Sequence, residues 1–149
     1  MNYALLGKRT PKIDGLAKAT GGARFSNDII LPRMLYGKIL RSPYPHARIL
    51  HIDTGRAKGL PGVKAVVTGK DTAGVRFGVF RETRDQYAIP IDKVRYIGDE
   101  VAAVAAVDED IAEEALGLIK VDYEVLPAAF DPLEAMKPGA PLLHEGVER

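Results

Sequence analysis

The feature that most constrains this chain is the apolar run Val101–Val107 (VAAVAAV), in which no side chain is polar. A strand with one face in water alternates apolar and polar residues, whereas a strand covered on both faces can be apolar throughout. The run therefore predicts a strand that is buried on both faces, and the rest of the chain has to be arranged around it.

An acidic turn, a helix and a second strand follow this run. Residues 108–110 (DED) place carboxylates where a helix has free N–H groups and the positive end of its dipole, so we predict Asp108 as the N-cap. Apolar residues recur at helical spacing over 111–118, and the period then changes to two over 119–125, which is typical of a half-exposed strand. The stretch 92–127 thus predicts a strand-helix-strand unit that supplies much of the core.

Shorter elements flank this unit. We predict strands at Leu35–Leu40, Ala47–Ile52 and Val63–Thr68, and short helices at Thr54–Lys58 and Asp131–Lys137. Residues 69–88 show little regular pattern, and a stretch of this length inside a compact domain indicates a functional loop or disorder.

Length and breakers predict the domain organisation. With 149 residues, 46% of them hydrophobic, the chain is long enough for one domain with a real core and too short for two comfortable ones. The single domain (1–149) is predicted to comprise a wrapping arm (1–32), a core (33–130) and a short helix with a tail (131–149). Glycines and prolines interrupt the arm, and we expect it to lie along another surface with Phe25 and Ile29 tucked in.

Composition excludes several classes of function. Cysteine is absent, so the chain by itself holds no disulfide, thiolate zinc site or iron–sulfur cluster. No apolar run approaches the roughly 20 residues that cross a bilayer, and residues 1–12 lack the apolar core of a signal peptide, which predicts no membrane partner and a cytoplasmic location.

Charge is distributed unevenly along the chain. Residues 1–64 carry 12 Lys/Arg against 3 Asp, and residues 65–149 carry 9 against 17 Asp/Glu. The basic half could face nucleic acid, an anionic substrate or an acidic partner, or the two halves could fold against each other. Because the basic residues are scattered singly and no aromatic-rich basic motif accompanies them, we predict no nucleic-acid partner.

The residue pattern contains no catalytic constellation. His46, His51 and His144 lack the spacing of metal ligands, so ordinary strand and loop histidines account for them. Gly62–Lys70 (GVKAVVTGK) ends like a phosphate-binding loop but has six residues between its glycines, where such a loop has four. The acidic pair Asp99–Glu100 indicates a turn that leads into the buried strand. The residues alone predict an α+β domain with no catalytic, cofactor-binding or metal-ligating residue of its own.

Longer motifs carry a resemblance to a known family. They are SPYPHARI at 42–49, LPGVKAVVTGKD at 60–71, KVRYIGDEVAAVAA at 93–106 and VDYEVLPAAFDPLEA at 121–135. In this order, over nearly the whole chain, they resemble the first domain of the large, molybdopterin-binding subunit of the xanthine oxidase family of molybdenum hydroxylases. The runs 92–109 and 115–127 are most similar to the α subunit of 4-hydroxybenzoyl-CoA reductase.

The resemblance implies an α/β-hammerhead fold that docks against molybdenum-binding domains and beside an iron–sulfur subunit. In the family, the residues that hold the molybdopterin belong to later domains, so this chain is expected to bind no cofactor and to be inactive alone. The assembled enzyme is expected to contain molybdopterin cytosine dinucleotide and [2Fe–2S] clusters, while FAD, an FAD subunit and a homo-oligomeric state are left open. The segment 140–145 resembles the one by which family members lead into the next domain.

One site is implied by the resemblance. Relatives place apolar residues of the loop before the strand that begins at Lys93 at the mouth of the substrate channel, and the matching positions here are Val79 and Phe80. The alternative is that both side chains merely cover the sheet.

Two functions remain open. The first is an N-terminal domain or short subunit of a molybdenum-dependent oxidoreductase, a hydroxylase or dehydrogenase of an aromatic acyl-CoA, an aldehyde or a heterocycle. In that role the chain would support the substrate channel and the iron–sulfur interface. The second is a stand-alone, non-catalytic binding or scaffold module of the same fold. The tail PLLHEGVER over 141–149 favours the first, because its apolar residues are typical of a chain that continues into a further domain.

Overall fold

A computed structural model describes residues 4–72, 74–80 and 84–144. The chain divides into two compact units, Met1–Met34 and Leu35–Arg149. The helices are α1 (Gly15–Ala19), α2 (Gly55–Gly59), α3 (Glu109–Leu118) and α4 (Pro132–Ala135). The strands are β1 (Tyr36–Arg41), β2 (Ala47–Asp53), β3 (Val63–Thr68), β4 (Arg76–Phe77), β5 (Gln86–Tyr87), β6 (Lys93–Val94), β7 (Glu100–Ala106) and β8 (Lys120–Val125).

The first unit has little regular structure. It contains α1 and a single 3-10 turn at Ser26–Asp28, in which the Phe25 N–H donates to the Asp28 carboxylate at 2.8 Å. Phe25 and Ile29 are 59% and 54% exposed in this chain, and their position against another surface stays a prediction. Whether the arm wraps another surface stays a prediction.

The apolar run forms the central strand of the first sheet. The strand order is β1-β7-β3, and both pairings of β7 are antiparallel. Val101, Ala102, Val104 and Ala106 are 0–2% exposed, whereas Ala103 and Ala105 are half-buried. Val107 follows the strand and is 46% exposed, so the prediction of cover on both faces is met only in part. The two ladders pair β7 along both edges, so its apolar part has no open backbone edge.

Helix α3 covers one face of this sheet. The predicted N-cap is confirmed, because the Asp108 carboxylate accepts a hydrogen bond from the Asp110 N–H at 2.8 Å. Ala112 and Ala115 are fully buried against the sheet. Small residues at the contact let the helix backbone approach the strands closely, which favours a dense core.

The second sheet has the order β6-β2-β8, again with antiparallel pairings. Its small core joins Ala47, Val94 and Val101, and Ile52 and Val121 also contact the first core. The strands on either side of α3 therefore belong to different sheets. Both edges of β7 are occupied by β1 and β3, so β8 pairs with β2 instead. The predicted α+β fold with few short helices is confirmed.

The irregular stretch between the sheets is held by a close backbone approach. A Cβ atom built on Gly69 would lie 2.1 Å from the Pro90 carbonyl oxygen, so only glycine fits at this point. Downstream of it, β4 and β5 form a short antiparallel ladder within the stretch that was predicted to be irregular. Among the described residues, no helix is long and apolar enough to cross a membrane.

Candidate functional site

A polar cleft lies where the turn before β7 meets the β4–β5 ladder and the C-terminal segment. Its volume is about 110 Å³. Most of its lining residues are titratable or aromatic, and we call this site the polar cleft. It is lined by Phe77, Asp85, Gln86, Tyr87, Pro90, Arg95, Tyr96, Asp99, Glu100 and His144.

The floor of the polar cleft is the turn that leads into β7, as the acidic pair predicted. Gly98 has a φ of 91°, which a residue with a side chain rarely adopts, and Asp99 follows it with only 5% exposure. The Asp99 carboxylate accepts a hydrogen bond from the Arg95 N–H at 2.9 Å and so closes the turn. Burial raises the pKa of the Asp99 carboxyl, and the Arg95 N–H partly offsets that shift.

A hydrogen-bonded chain of three side chains borders the floor. The Tyr96 hydroxyl donates to Glu100 Oε2 at 3.0 Å, and Arg41 Nη1 donates to Glu100 Oε1 at 2.7 Å. Burial and the hydrogen bond to Glu100 raise the pKa of Tyr96 to about 12. Burial acts to raise the pKa of Glu100, but hydrogen bonds from Arg41 and Tyr96 outweigh it, and the net shift is downward. At neutral pH Tyr96 is therefore a neutral phenol and Glu100 is a carboxylate, which accepts hydrogen bonds from Tyr96 and from the Arg41 guanidinium.

The C-terminal segment closes one side of the polar cleft. Arg95 Nε donates to the Leu143 carbonyl oxygen at 2.9 Å, so the tail has a partner inside the chain that the sequence did not reveal. His144 Nδ1 lies 3.6 Å from Asp85 Oδ2, which is too long for a hydrogen bond. Burial lowers the pKa of His144 despite the nearby carboxylate, so the imidazole is neutral at pH 7 and the contact is not an ion pair.

The opposite wall is the β4–β5 ladder. The Arg76 side chain lies over the Tyr87 ring at 5.3 Å from its centroid, and its Nε donates to the hydroxyl of the same tyrosine at 3.0 Å. The guanidinium thus holds the ring by its face and by its polar end. Phe77 and Gln86, one from each strand, complete the wall.

The size and chemistry of the polar cleft suit a small polar group. Its volume of about 110 Å³ is several times the share of one water molecule in the liquid, roughly 30 Å³. It is well below the 300–1,000 Å³ that is typical of cofactor and drug-sized ligands. Glu100, Asp99 and Arg95 already bind partners within the chain. The site can therefore hold a side chain or a small polar molecule. Its polar groups maintain the shape of the cleft and are not arranged to transfer protons.

The described residues do not fit a metal cofactor. Over 4–72, 74–80 and 84–144, no three His, Asp or Glu side chains lie close enough together to hold a metal ion, and the sequence contains no cysteine. A molybdopterin dinucleotide is also too large for the polar cleft.

Val79 and Phe80 lie in the connection between β4 and β5. They are 92% and 66% exposed, and neither lines the polar cleft, although Phe77 two residues earlier does. Residues 81–83 of the same connection lie outside the described residues. A position at the mouth of a substrate channel stays a prediction, and the exposure of Val79 does not favour the alternative of a sheet cover.

His46 is a buried residue whose environment the sequence did not indicate. It is 4% exposed, and its Nδ1 lies 2.6 Å from the Pro127 carbonyl oxygen. Because that oxygen can only accept, Nδ1 donates this hydrogen bond. Nε2 has no hydrogen-bond partner among the described residues. The ring ties the start of β2 to the end of β8.

The comparison with protein families identifies the fold. The family described as aldehyde oxidase and xanthine dehydrogenase, a/b hammerhead domain, matches residues 20–127, a range that includes every strand of the two sheets. The chain belongs to this family. The α/β-hammerhead fold and the xanthine oxidase family, both expected from the resemblance, are thus confirmed.

Individual relatives are longer than this hammerhead chain. It is 49% identical over 133 residues to a probable xanthine dehydrogenase subunit of Bacillus subtilis, covering 89% of this chain and 18% of that protein. It is 39% identical over 144 residues to the nicotinate dehydrogenase large molybdopterin subunit of Eubacterium barkeri, covering 96% and 33%. The aldehyde oxidoreductase of Desulfovibrio desulfuricans matches with a TM-score of 0.85 and 32% identity, over 96% of this chain and 17% of that one. The hammerhead chain thus spans between about a sixth and a third of the length of these relatives.

Proposed function

We propose that the chain is the N-terminal domain, or a separate short subunit, of a molybdenum-dependent oxidoreductase. Its role is structural: it supports the substrate channel and the interface with the iron–sulfur subunit, while the remaining molybdopterin-binding domains carry the chemistry. The assembly contains molybdopterin cytosine dinucleotide and [2Fe–2S] clusters, with FAD on a further subunit in some forms. A cytoplasmic location belongs to the same proposal.

The proposal rests on one observation: this chain matches only a small part of the length of its relatives. It aligns with 89% and 96% of its own length to subunits named for xanthine and nicotinate dehydrogenation, yet it represents 18% and 33% of their lengths. The described residues hold no metal-binding cluster, and the polar cleft is smaller than a typical cofactor site. The proposal accordingly assigns the catalytic groups to the remainder of the assembly.

The names of the same relatives support the substrate class that we propose. Xanthine and nicotinate are nitrogen heterocycles, and another similar protein is a carbon monoxide dehydrogenase large chain. We therefore place a heterocycle first, followed by an aldehyde and by an aromatic acyl-CoA, the class favoured by the resemblance to 4-hydroxybenzoyl-CoA reductase.

The assembly is tested by purifying the tagged chain under native conditions from its source cells. We expect molybdenum and iron in fixed ratios to the chain, together with larger polypeptides or with the remainder of its own polypeptide. A chain that elutes alone and without metal would reject the proposal and leave the stand-alone binding module. Xanthine, nicotinate, aldehydes and aromatic acyl-CoA thioesters then serve as substrates for the purified complex.

The channel position is tested with Phe80→Ala in the assembled enzyme. Removing a large, 66% exposed ring from the channel mouth should change KM or the ranking of substrates by several-fold and leave the metal content unchanged. Phe25→Ala is the matched control, because it removes an equally large ring that is 59% exposed in the first unit. Equal kinetics of both variants and the wild type with every substrate would remove Phe80 from the channel.

A further inference from the structure

One face of the first sheet is apolar and uncovered. The register places Ala103 opposite Ile39 on one side and Val67 on the other, and places Ala105 opposite Gly37 and Ala65 in the same way. Residues that are directly opposite in a ladder project from the same face. We call these two rows the open face: Ile39, Ala103 and Val67 in one row, and Gly37, Ala105 and Ala65 in the next.

No residue in these two rows is charged or polar. Ile39 is 45% exposed and Val67 is 37% exposed. Gly37 and Ala65 are also exposed, and the two alanines of β7 are half-buried. Single exposed apolar side chains are common on protein surfaces, but contiguous rows across three strands are typical of an interaction surface.

The opposite face of the same sheet is covered by α3 and serves as a comparison. There Val104 lies opposite Lys38 and Val66, and α3 covers the row. Lys38, at the edge of that row, reaches Glu109 at 2.7 Å at the start of α3. The covered face thus ends in a charged rim, whereas the two rows of the open face contain no charge.

The second sheet of the same molecule covers the part of β7 next to the open face. Val101, where the register with β1 shifts, lies next to these rows and is fully buried against Ala47 and Val94 of the second sheet. The cover stops after Val101. The entire run is apolar, as is typical of a strand covered on both faces, so its second half requires a surface that the described chain does not supply.

We propose that the open face is the docking surface for the remaining molybdopterin-binding part of the enzyme, an inference that rests on the proposed function. That part represents 67–82% of the two curated relatives, which leaves ample chain to cover the face. The partner surface is uncharged and presents large aliphatic or aromatic side chains. Ala103 lies between Ile39 and Val67, and the next row contains only Gly and Ala, so the face has a shallow groove that bulky side chains fill.

A second copy of this chain fits the open face less well. In a two-fold dimer the same patch faces itself, so Ile39 and Val67 are the largest side chains available to fill the row of Gly37, Ala105 and Ala65 on each copy. Any gap left there loses the dispersion contacts that stabilise a dry interface.

The test places one lysine on the open face in the native assembly. Ala65→Lys and Ile39→Lys each put a charge on an exposed position of the face, where docking would bury it without a partner. Gly117→Lys is the control, because it adds the same charge on α3, at an exposed position where no heavy atom lies within 4 Å of the new Cβ. The readouts are molybdenum per mole of chain and the Tm of the assembly, with circular dichroism to verify folding.

We expect both open-face variants to retain their fold and to lower molybdenum per chain at least about tenfold, or to lower the assembly Tm where the parts form one polypeptide, with Gly117→Lys unchanged. A wild type that carries molybdenum, with all three variants equal to it, would overturn the docking surface and leave the proposed function intact. A wild type without molybdenum would overturn both. Sedimentation would then show whether the open face joins two copies.

Discussion

The two three-stranded sheets of the molecule share antiparallel pairing but differ in how they are covered. The first sheet has α3 across one face and a cluster of eight buried residues. The second sheet has a cluster of three, and one of these, Val101, comes from the first sheet. Stability is therefore concentrated around β7 and α3, whereas the polar cleft beside the second sheet is held mainly by turns and hydrogen bonds.

The close contact between Gly69 and Pro90, which we call the seam between the sheets, gives the largest expected effect. Gly69→Ala would place a Cβ 2.1 Å from the Pro90 carbonyl oxygen and force the backbone apart, at a cost of about 3 kcal/mol in the free energy of unfolding. Gly117→Ala, where the Cβ meets nothing within 4 Å, should instead stabilise α3 by up to about 1 kcal/mol. Urea unfolding of both variants measures the difference. Equal stabilities would mean that the seam is not a tight contact.

The two cores can be compared with one substitution in each. Val104 and Val94 are 2% and 0% exposed, so Val→Ala removes the same buried atoms at both positions. We expect a loss of about 2 kcal/mol for Val104→Ala, because the close-packed sheet and helix leave a cavity that cannot collapse. Val94→Ala in the smaller cluster should cost about 1 kcal/mol. The reverse order in chemical unfolding would place the main core in the second sheet.

Substitutions at the N-caps of α3 and α4 can be compared, because α3 packs on the core and α4 does not. Asp108→Ala removes the cap of α3 and should cost about 1 kcal/mol of global stability. Asp131 caps α4 with two hydrogen bonds, to Leu133 and Glu134, but α4 has no buried residue. Asp131→Ala should therefore leave the unfolding midpoint unchanged and increase amide exchange in α4 alone. Equal global losses would show that α4 is part of the cooperative core.

The smallest effect is a pH dependence at the floor of the polar cleft. Burial raises the pKa of Asp99 above the usual 3.8, so between 3.8 and the folded pKa the folded state binds more protons than the unfolded state. This group therefore lowers stability as pH rises through that window. Asp99→Asn retains an oxygen for the Arg95 N–H and removes the ionisation, so the fall should become shallower. A stability profile between pH 3 and 7 checks this, and parallel profiles would contradict it.

Local patterns predicted much of the fold but little of the polar cleft. The strand over 101–107, the Asp108 cap and the change of period at Ile119 are encoded within a few neighbouring residues, and the structure contains all three. The cleft depends on contacts between distant residues. Arg41 meets Glu100 across 59 positions, and Arg95 meets Leu143 across 48. Hydrogen bonds of this kind leave no periodic signal in the sequence.

The predicted site residues illustrate the same limit. Val79 and Phe80 came from a resemblance to the family rather than from a pattern of their own, and the structure places them in the exposed β4–β5 connection. The acidic pair before β7 was correctly interpreted as a turn. Its surroundings could not be anticipated, because Arg41 and Tyr96 bind the Glu100 carboxylate and the Arg95 N–H binds the Asp99 carboxylate, and none of these contacts has a sequence pattern.

The central position of β7 also determines when the first sheet can form. Its neighbours β1 and β3 end at Arg41 and Thr68, whereas β7 ends at Ala106, so both outer strands leave the ribosome well before their common partner. Pairing across such separations makes folding slow and leaves strand edges exposed during synthesis. We therefore expect the nascent chain to depend on chaperones until β7 and α3 have emerged, and then to form the first sheet in one cooperative step.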